Sequence, residues 1–157
     1  MHPDLAPLAF LIGSWTGRGK GRYPTIEPFE YFEEATYTPG PGKPFIAYSQ
    51  RTRRAGGGGE PLHSEAGYIR PAGPGKAELV IAQPTGIVEV HTGEVQDGRV
   101  DFRTSLVGLS KTAVEVAEAR RRLEVEGGTM HYRLWMAAVG QPIQVHLEAE
   151  LARVSGH

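Results

Sequence analysis

Short runs of alternating apolar and polar residues, cut at regular intervals by glycine, proline and polar turns, constrain this chain more than any other feature. Strand side chains point to opposite faces in turn, so each alternating run reads as a half-buried strand, and many such runs in series read as a sandwich or barrel. After an opening strand that starts at Gly13, the runs fall at 28–37, 44–52, 62–70, 77–83, 86–95, 99–107, 112–126, 129–139 and 145–154. Asp97-Gly98 and Gly127-Gly128 lie between neighbouring runs and predict tight hairpins. The 21 glycines and 12 prolines are spread along the chain as punctuation and do not collect in a linker. Only residues 3–12 and 106–111 leave room for a short helical turn. Sequential antiparallel strands on a chain of this size are best satisfied by closing the sheet, because closure removes exposed edges. The expected fold is all-β: an antiparallel up-and-down barrel of about ten strands, with one or two short helical turns, forming a single domain over 1–157.

The opening strand is unusual. In "GSWTGRGKGRYPTI" the odd positions hold Gly13, Trp15, Gly17, Gly19 and Gly21, and the even ones Ser14, Thr16, Arg18, Lys20 and Arg22. One face is therefore an indole followed by bare backbone. Either something bulky approaches that face, or the glycines permit sharp coiling of the barrel. Trp15 reads as a packing residue at the closed end.

Composition removes several classes of function. The 157 residues carry a formal net charge of −1, with a pI near 6.6, which gives no electrostatic basis for nucleic-acid or membrane-surface binding. The chain has no cysteine, which suits a reducing cytoplasm and excludes thiolate metal sites. No signal peptide or membrane-length apolar run is present, so a soluble cytoplasmic protein is expected. Arg51–Arg54 run into a four-glycine loop and read as a solvated strand end, while Arg120–Arg122 straddle two faces of a strand.

Common catalytic motifs are also missing. Gly17-x-Gly19-x-Gly21 lacks the third glycine spacing and the helix of a dinucleotide loop, and no Lys-Ser/Thr closes it as a phosphate loop. Ser14, Ser64 and Ser110 sit in no nucleophile elbow. The histidines at 2, 63, 91, 131, 146 and 157 form no zinc spacing, and each alone reads as surface or hydrogen-bonded filler. Ser49, Thr104, Ser105 and the glycines are candidate inward residues, which makes a cavity for one small ligand plausible beside a filled core.

Four segments resemble one family in order along nearly the whole chain. "GSWTGRGKGRYPTI", "LHSEAGYIRP" at 62–71, "AQPTGIVEVHTGEV" at 82–95 and "MAAVGQPIQVHLEAEL" at 136–151 are similar to the nitrobindins. The resemblance implies a ten-stranded barrel shaped like the fatty-acid-binding proteins, with one b-type haem at its mouth and the iron ferric. It implies nitric oxide binding and isomerisation of peroxynitrite to nitrate, an enzyme activity. The implied proximal iron ligand is His146, with Thr25 beside the haem and His63 near it. The expected partners are haem, nitric oxide and peroxynitrite, with a homodimer as the protein partner to test. Neither nucleic acid nor a membrane is expected.

Periodicity and resemblance disagree about His146. Alternation groups Val145, Leu147, Ala149 and Leu151 on the apolar face and leaves His146 outside with Glu148 and Glu150. Pro142 removes a ladder donor just upstream, which is compatible with a late strand start or a bulge. The sequence departs from the family at Val114, where lysine is common; Lys20, Arg22 and Lys111 are then the candidates to pair with haem propionates. Two other readings stand beside the enzyme: a non-catalytic carrier of an apolar small molecule, and a haem-based nitric-oxide sensor or carrier.

Overall fold

The computed structural model describes residues 1–154; His157 lies outside them. A 3-10 helix, Pro3–Leu11, precedes ten strands: β1 (Gly13–Tyr23), β2 (Ile26–Pro39), β3 (Ile46–Arg54), β4 (Pro61–Pro71), β5 (Lys76–Gln83), β6 (Ile87–Gln96), β7 (Arg99–Leu109), β8 (Val116–Glu126), β9 (Thr129–Ala138) and β10 (Gln144–Arg153). Each strand pairs antiparallel with its sequence neighbours, and β10 pairs with β1 to close the barrel. The expected all-β barrel is therefore the fold. One helical segment was expected correctly, at the N-terminus; the second is replaced by β7, which runs on to Leu109 because its residues pair with β6 up to Ile87–Leu109. Strand β8 starts at Val116, later than the alternation of 112–126 predicts, since 110–115 form the connection from β7.

The helix closes one end of the barrel. Leu5, Leu8 and Leu11 are buried in the same core as Trp15, whose indole N–H donates to the Leu11 carbonyl at 2.9 Å. The Arg153 guanidinium lies 4.3 Å from the indole centroid on that end. The other end is ringed by the β1–β2, β3–β4, β5–β6, β7–β8 and β9–β10 connections, and no helix covers it among the described residues. Ladder pairing between β7 and β8 stops at Arg103–Arg120, leaving the upper halves of those strands apart except where the Thr104 hydroxyl bonds the Ala119 main chain.

The bare face of β1 is occupied by the barrel itself. Gly19 pairs with Tyr31 and Gly21 with Phe29, and the aromatic rings of these partners cover the glycines where a Cβ would stand. Gly17 faces the β10 backbone, with Leu151 Cα only 2.8 Å from the position of a Cβ. Bulky groups do approach the glycine face, and those identified are cross-strand neighbours. Of the other inward candidates, Ser49 and Ser105 are exposed: the Ser49 hydroxyl bonds Thr36 across the outer surface at 2.7 Å, and Ser105 bonds the Val90 carbonyl. Thr104 is half-buried.

Candidate functional site at the open end

Two bulges meet at the open end. Along β10, Val145 pairs with Trp135 and Leu147 with Leu134, so His146 is the extra residue of a bulge opposite β9. Between β1 and β2 the register passes from Gly21–Phe29 to Tyr23–Ile26, so Arg22 alone stands against Glu27 and Pro28 and the extra residue belongs to β2. A bulge re-aims a side chain that alternation would send outward. Here it turns His146 against Tyr23, with ring centroids 5.3 Å apart in an edge-on contact, and leaves Val145 opposite Trp135. The outward direction that alternation assigned to His146 is overturned for this reason.

The environment of His146 defines its chemistry. Its Nδ1 lies 2.9 Å from the Arg22 carbonyl oxygen, an acceptor only, so Nδ1 carries the proton and Nε2 keeps a lone pair. Burial lowers its pKa, the Arg22 carbonyl opposes that, and the neighbouring imidazole of His63 adds to the lowering. A neutral imidazole with one fixed N–H and one bare nitrogen is the form that ligates a metal. Tyr23 fixes the neighbourhood: its hydroxyl accepts from the Ala138 N–H at 2.8 Å and is within 3.3 Å of the Met136 and Ala138 carbonyls.

The inner rim at this end of the barrel carries apolar side chains that are partly uncovered. Leu109 pairs with Ile87 and shares its inner face; Ile87 is buried, yet Leu109 is 45% exposed. Met136 and Val116 on β9 and β8 are half-buried near the same end. One nitrogen donor beside an open apolar rim fits an iron porphyrin, which needs an axial ligand and apolar faces.

The other expected site residues are at the same end. Thr25 is exposed in the β1–β2 turn. His63, near the start of β4, is half-buried, with its Nε2 3.2 Å from Glu65 Oε2. Val114 is 63% exposed in the β7–β8 connection, which also carries exposed Lys111. Lys20 and Arg22 are exposed, and Arg22 pairs with Glu148 at 3.5 Å.

Sequence reasoning missed the polar interior below. Arg121, the inward member of Arg120–Arg122, is buried and bonds Glu65 on β4 and Glu89 on β6 at 3.1 Å. Glu89 in turn bonds buried His91 at 2.7 Å. Burial raises the pKa of both glutamates, but the Arg121 charge and the histidine bonds outweigh it and hold them below the usual carboxylate range. Glu33 is pushed up to about 8 by burial and by the charge of Glu65. The signal was present as His63-x-Glu65 and Glu89-x-His91, since residues two apart share a strand face.

A family model described as "THAP4-like, heme-binding beta-barrel domain" matches residues 4–153. Peroxynitrite isomerase 2 of Mycobacterium avium is 50% identical over 157 residues, covering 98% of this chain and 96% of the relative. Peroxynitrite isomerase of Nocardia farcinica is 47% identical, covering 98% and 92%. Among solved structures, Rv2717c from M. tuberculosis superposes with a TM-score of 0.91 at 45% identity, covering 99% of each chain. The S-type phycobiliprotein lyase CPES from Guillardia theta, with a TM-score of 0.68 at 13% identity, shares the barrel fold.

Proposed function

The chain belongs to the THAP4-like heme-binding β-barrel family, the nitrobindins, and from that premise we propose that it is a haem-dependent peroxynitrite isomerase. The observation that carries the reading is the bare Nε2 of His146, held on a bulge by the Arg22 carbonyl at the open apolar rim. When bound, b-type haem would supply a ferric iron, a Lewis acid suited to converting peroxynitrite to nitrate. His146 would hold the iron, and the Arg22 carbonyl and Tyr23 would fix the plane of its ring. Leu109 and Met136 would cover apolar faces of the macrocycle and exclude water. His63 would stand near it, with its Nε2 engaged by Glu65. Thr25 would lie beside the haem edge.

Nitric oxide would bind at the same haem, in a chain that would work in the cytoplasm as one domain over 1–157. A homodimer belongs to the same reading: Tyr68, Val80, Val90 and Leu106 pair in succession across β4–β7 and form an outward apolar row for a second copy to cover. The apolar-carrier reading is disfavoured, because Arg121, Glu65 and Glu89 occupy interior positions where a hydrocarbon tail would lie.

Titration with ferric haem, followed by stopped-flow mixing with peroxynitrite and nitrate analysis, tests the proposal. One-to-one saturation of a Soret band and faster decay with a higher nitrate-to-nitrite ratio are expected. Equal decay with haem-loaded and haem-free protein would overturn the enzyme and leave the sensor or carrier.

A further inference from the structure

His63 and Glu65 are two residues apart on β4 and both turn toward the barrel interior. Glu65 is 5% exposed and both its oxygens are engaged. Oε1 accepts from the Tyr48 hydroxyl at 2.7 Å and from Arg121 Nη1. Oε2 accepts from Arg121 Nη2 at 3.2 Å and Gln83 Nε2 at 3.4 Å, and faces His63 Nε2 at 3.2 Å. A carboxylate locked by an arginine has no proton to give, so the proton of the His63 bond resides on Nε2.

The remaining nitrogen of His63 is different. Its Nδ1 has no hydrogen-bond partner among the described residues, and the side chain is 31% exposed at the open end. The titratable and charged groups near it come from several strands: Arg121 from β8 and, beyond it, Glu89 from β6, both reached through Glu65; His146 from β10; and Glu34 from β2 with Arg51 and Arg53 from β3 along the adjoining outer groove.

We propose that Glu65 is a positioning residue that holds His63 as its Nε2–H tautomer, so that His63 meets entering ligands as a proton acceptor. The ligand half of this inference rests on the haem-binding function proposed above; the tautomer half does not. For a ligand that arrives protonated, such as hydrogen cyanide or peroxynitrous acid, the proton moves to Nδ1 and the bonding pair stays with the departing anion. The imidazolium so formed is balanced by ionised Glu65. Nitric oxide has no proton to give and is indifferent to the tautomer.

Long-range 15N–1H correlation spectra of the haem-free chain read the tautomer directly, and Nε2–H is expected in the wild type. In Glu65→Gln, Arg121 claims the amide oxygen and the amide NH2 faces His63, so the proton shifts to Nδ1. Glu65→Asp keeps the acceptor and retains the wild-type tautomer. In the ferric haem-loaded protein, E65Q should slow cyanide association about tenfold or more, while nitric oxide association changes less than about twofold. A wild-type Nδ1–H tautomer overturns the proposal, as does an unchanged cyanide-to-nitric-oxide rate ratio in E65Q with a shifted tautomer. Should E65Q not fold, the wild-type tautomer decides, with Nε2–H upholding the proposal and Nδ1–H overturning it. Failure of the wild type to take up haem would sink the proposed function and leave the tautomer measurement to judge Glu65.

Discussion

The Nδ1 of His146 on β10 lies 2.9 Å from the carbonyl oxygen of Arg22 on β1, so the extra residue of the β10 bulge is bonded to the β1 residue that faces the bulge of β2. The β10 bulge turns the imidazole onto a β1 carbonyl just past the last pair of the β1–β10 ladder, Gly21–Leu147. The result is a histidine whose bare nitrogen is set by the backbone.

Removing that imidazole should remove the axial ligand and little else. His146→Gly is expected to lose tight haem binding or to shift the Soret band, with partial recovery on adding imidazole. His63→Ala should keep the proximal bond and its band position while changing ligand-association rates. Absorption spectra of the two reconstituted variants check this; the reverse pattern would show that His63 holds the iron.

Tyr23→Phe tests the support beneath the ligand. The variant leaves the buried Ala138 N–H without its 2.8 Å acceptor, at a cost of about 1–3 kcal/mol in urea unfolding. It retains the edge-on ring contact with His146, so haem affinity should fall far less than in His146→Gly. Equal losses in the two variants would place Tyr23 in a role the geometry does not give it.

Arg121→Met should be severe, because it strands Glu65 and Glu89 as buried carboxylates; a loss of about 3–5 kcal/mol is expected. Both folded-state pKa values lie below the unfolded 4.5, so the stability these groups contribute is present above pH 4.5 and is lost as pH falls toward the folded values. Unfolding curves across acid pH should show the wild type weakening below pH 4.5. A flat wild-type profile there would contradict the ion network.

Glu33 has the opposite sign. Its folded pKa of about 8 exceeds the unfolded 4.5, so its contribution is full below pH 4.5 and is lost as pH rises through 8. Glu33→Gln removes that slope. At pH 8.5 it should be more stable than the wild type by on the order of a few kcal/mol, with the gap closing toward pH 4.5. A gap independent of pH would refute the assignment.

The glycines of β1 should rank by what stands against them. Gly17→Ala meets the β10 backbone, which cannot rotate away, and should cost about 1–3 kcal/mol by overpacking. Gly21→Ala meets the ring of half-buried Phe29, and Phe29→Leu should relieve it more than any side-chain change relieves Gly17→Ala. Thermal melts of the single and double variants give the order.

Alternation and turn chemistry determined the fold from the sequence, because period-two patterning and Asp97-Gly98 or Gly127-Gly128 turns act between neighbours in the chain. Gly98, with φ of +72°, takes the left-handed turn conformation that this dipeptide favours. Arg120–Arg122 could likewise be assigned to two faces by counting. The site was legible only by resemblance: "GQPIQVH" selected His146, while its own periodicity pointed the side chain outward. Tertiary structure decided that direction, because a bulge is a mismatch between two strands and β10 by itself has no register to violate. It likewise decided that Arg121, Glu65, Glu89 and Glu33 share one interior, since their charges acquire shifted protonation states only after strands 56 residues apart in sequence, at Glu65 and Arg121, are closed into one barrel away from water.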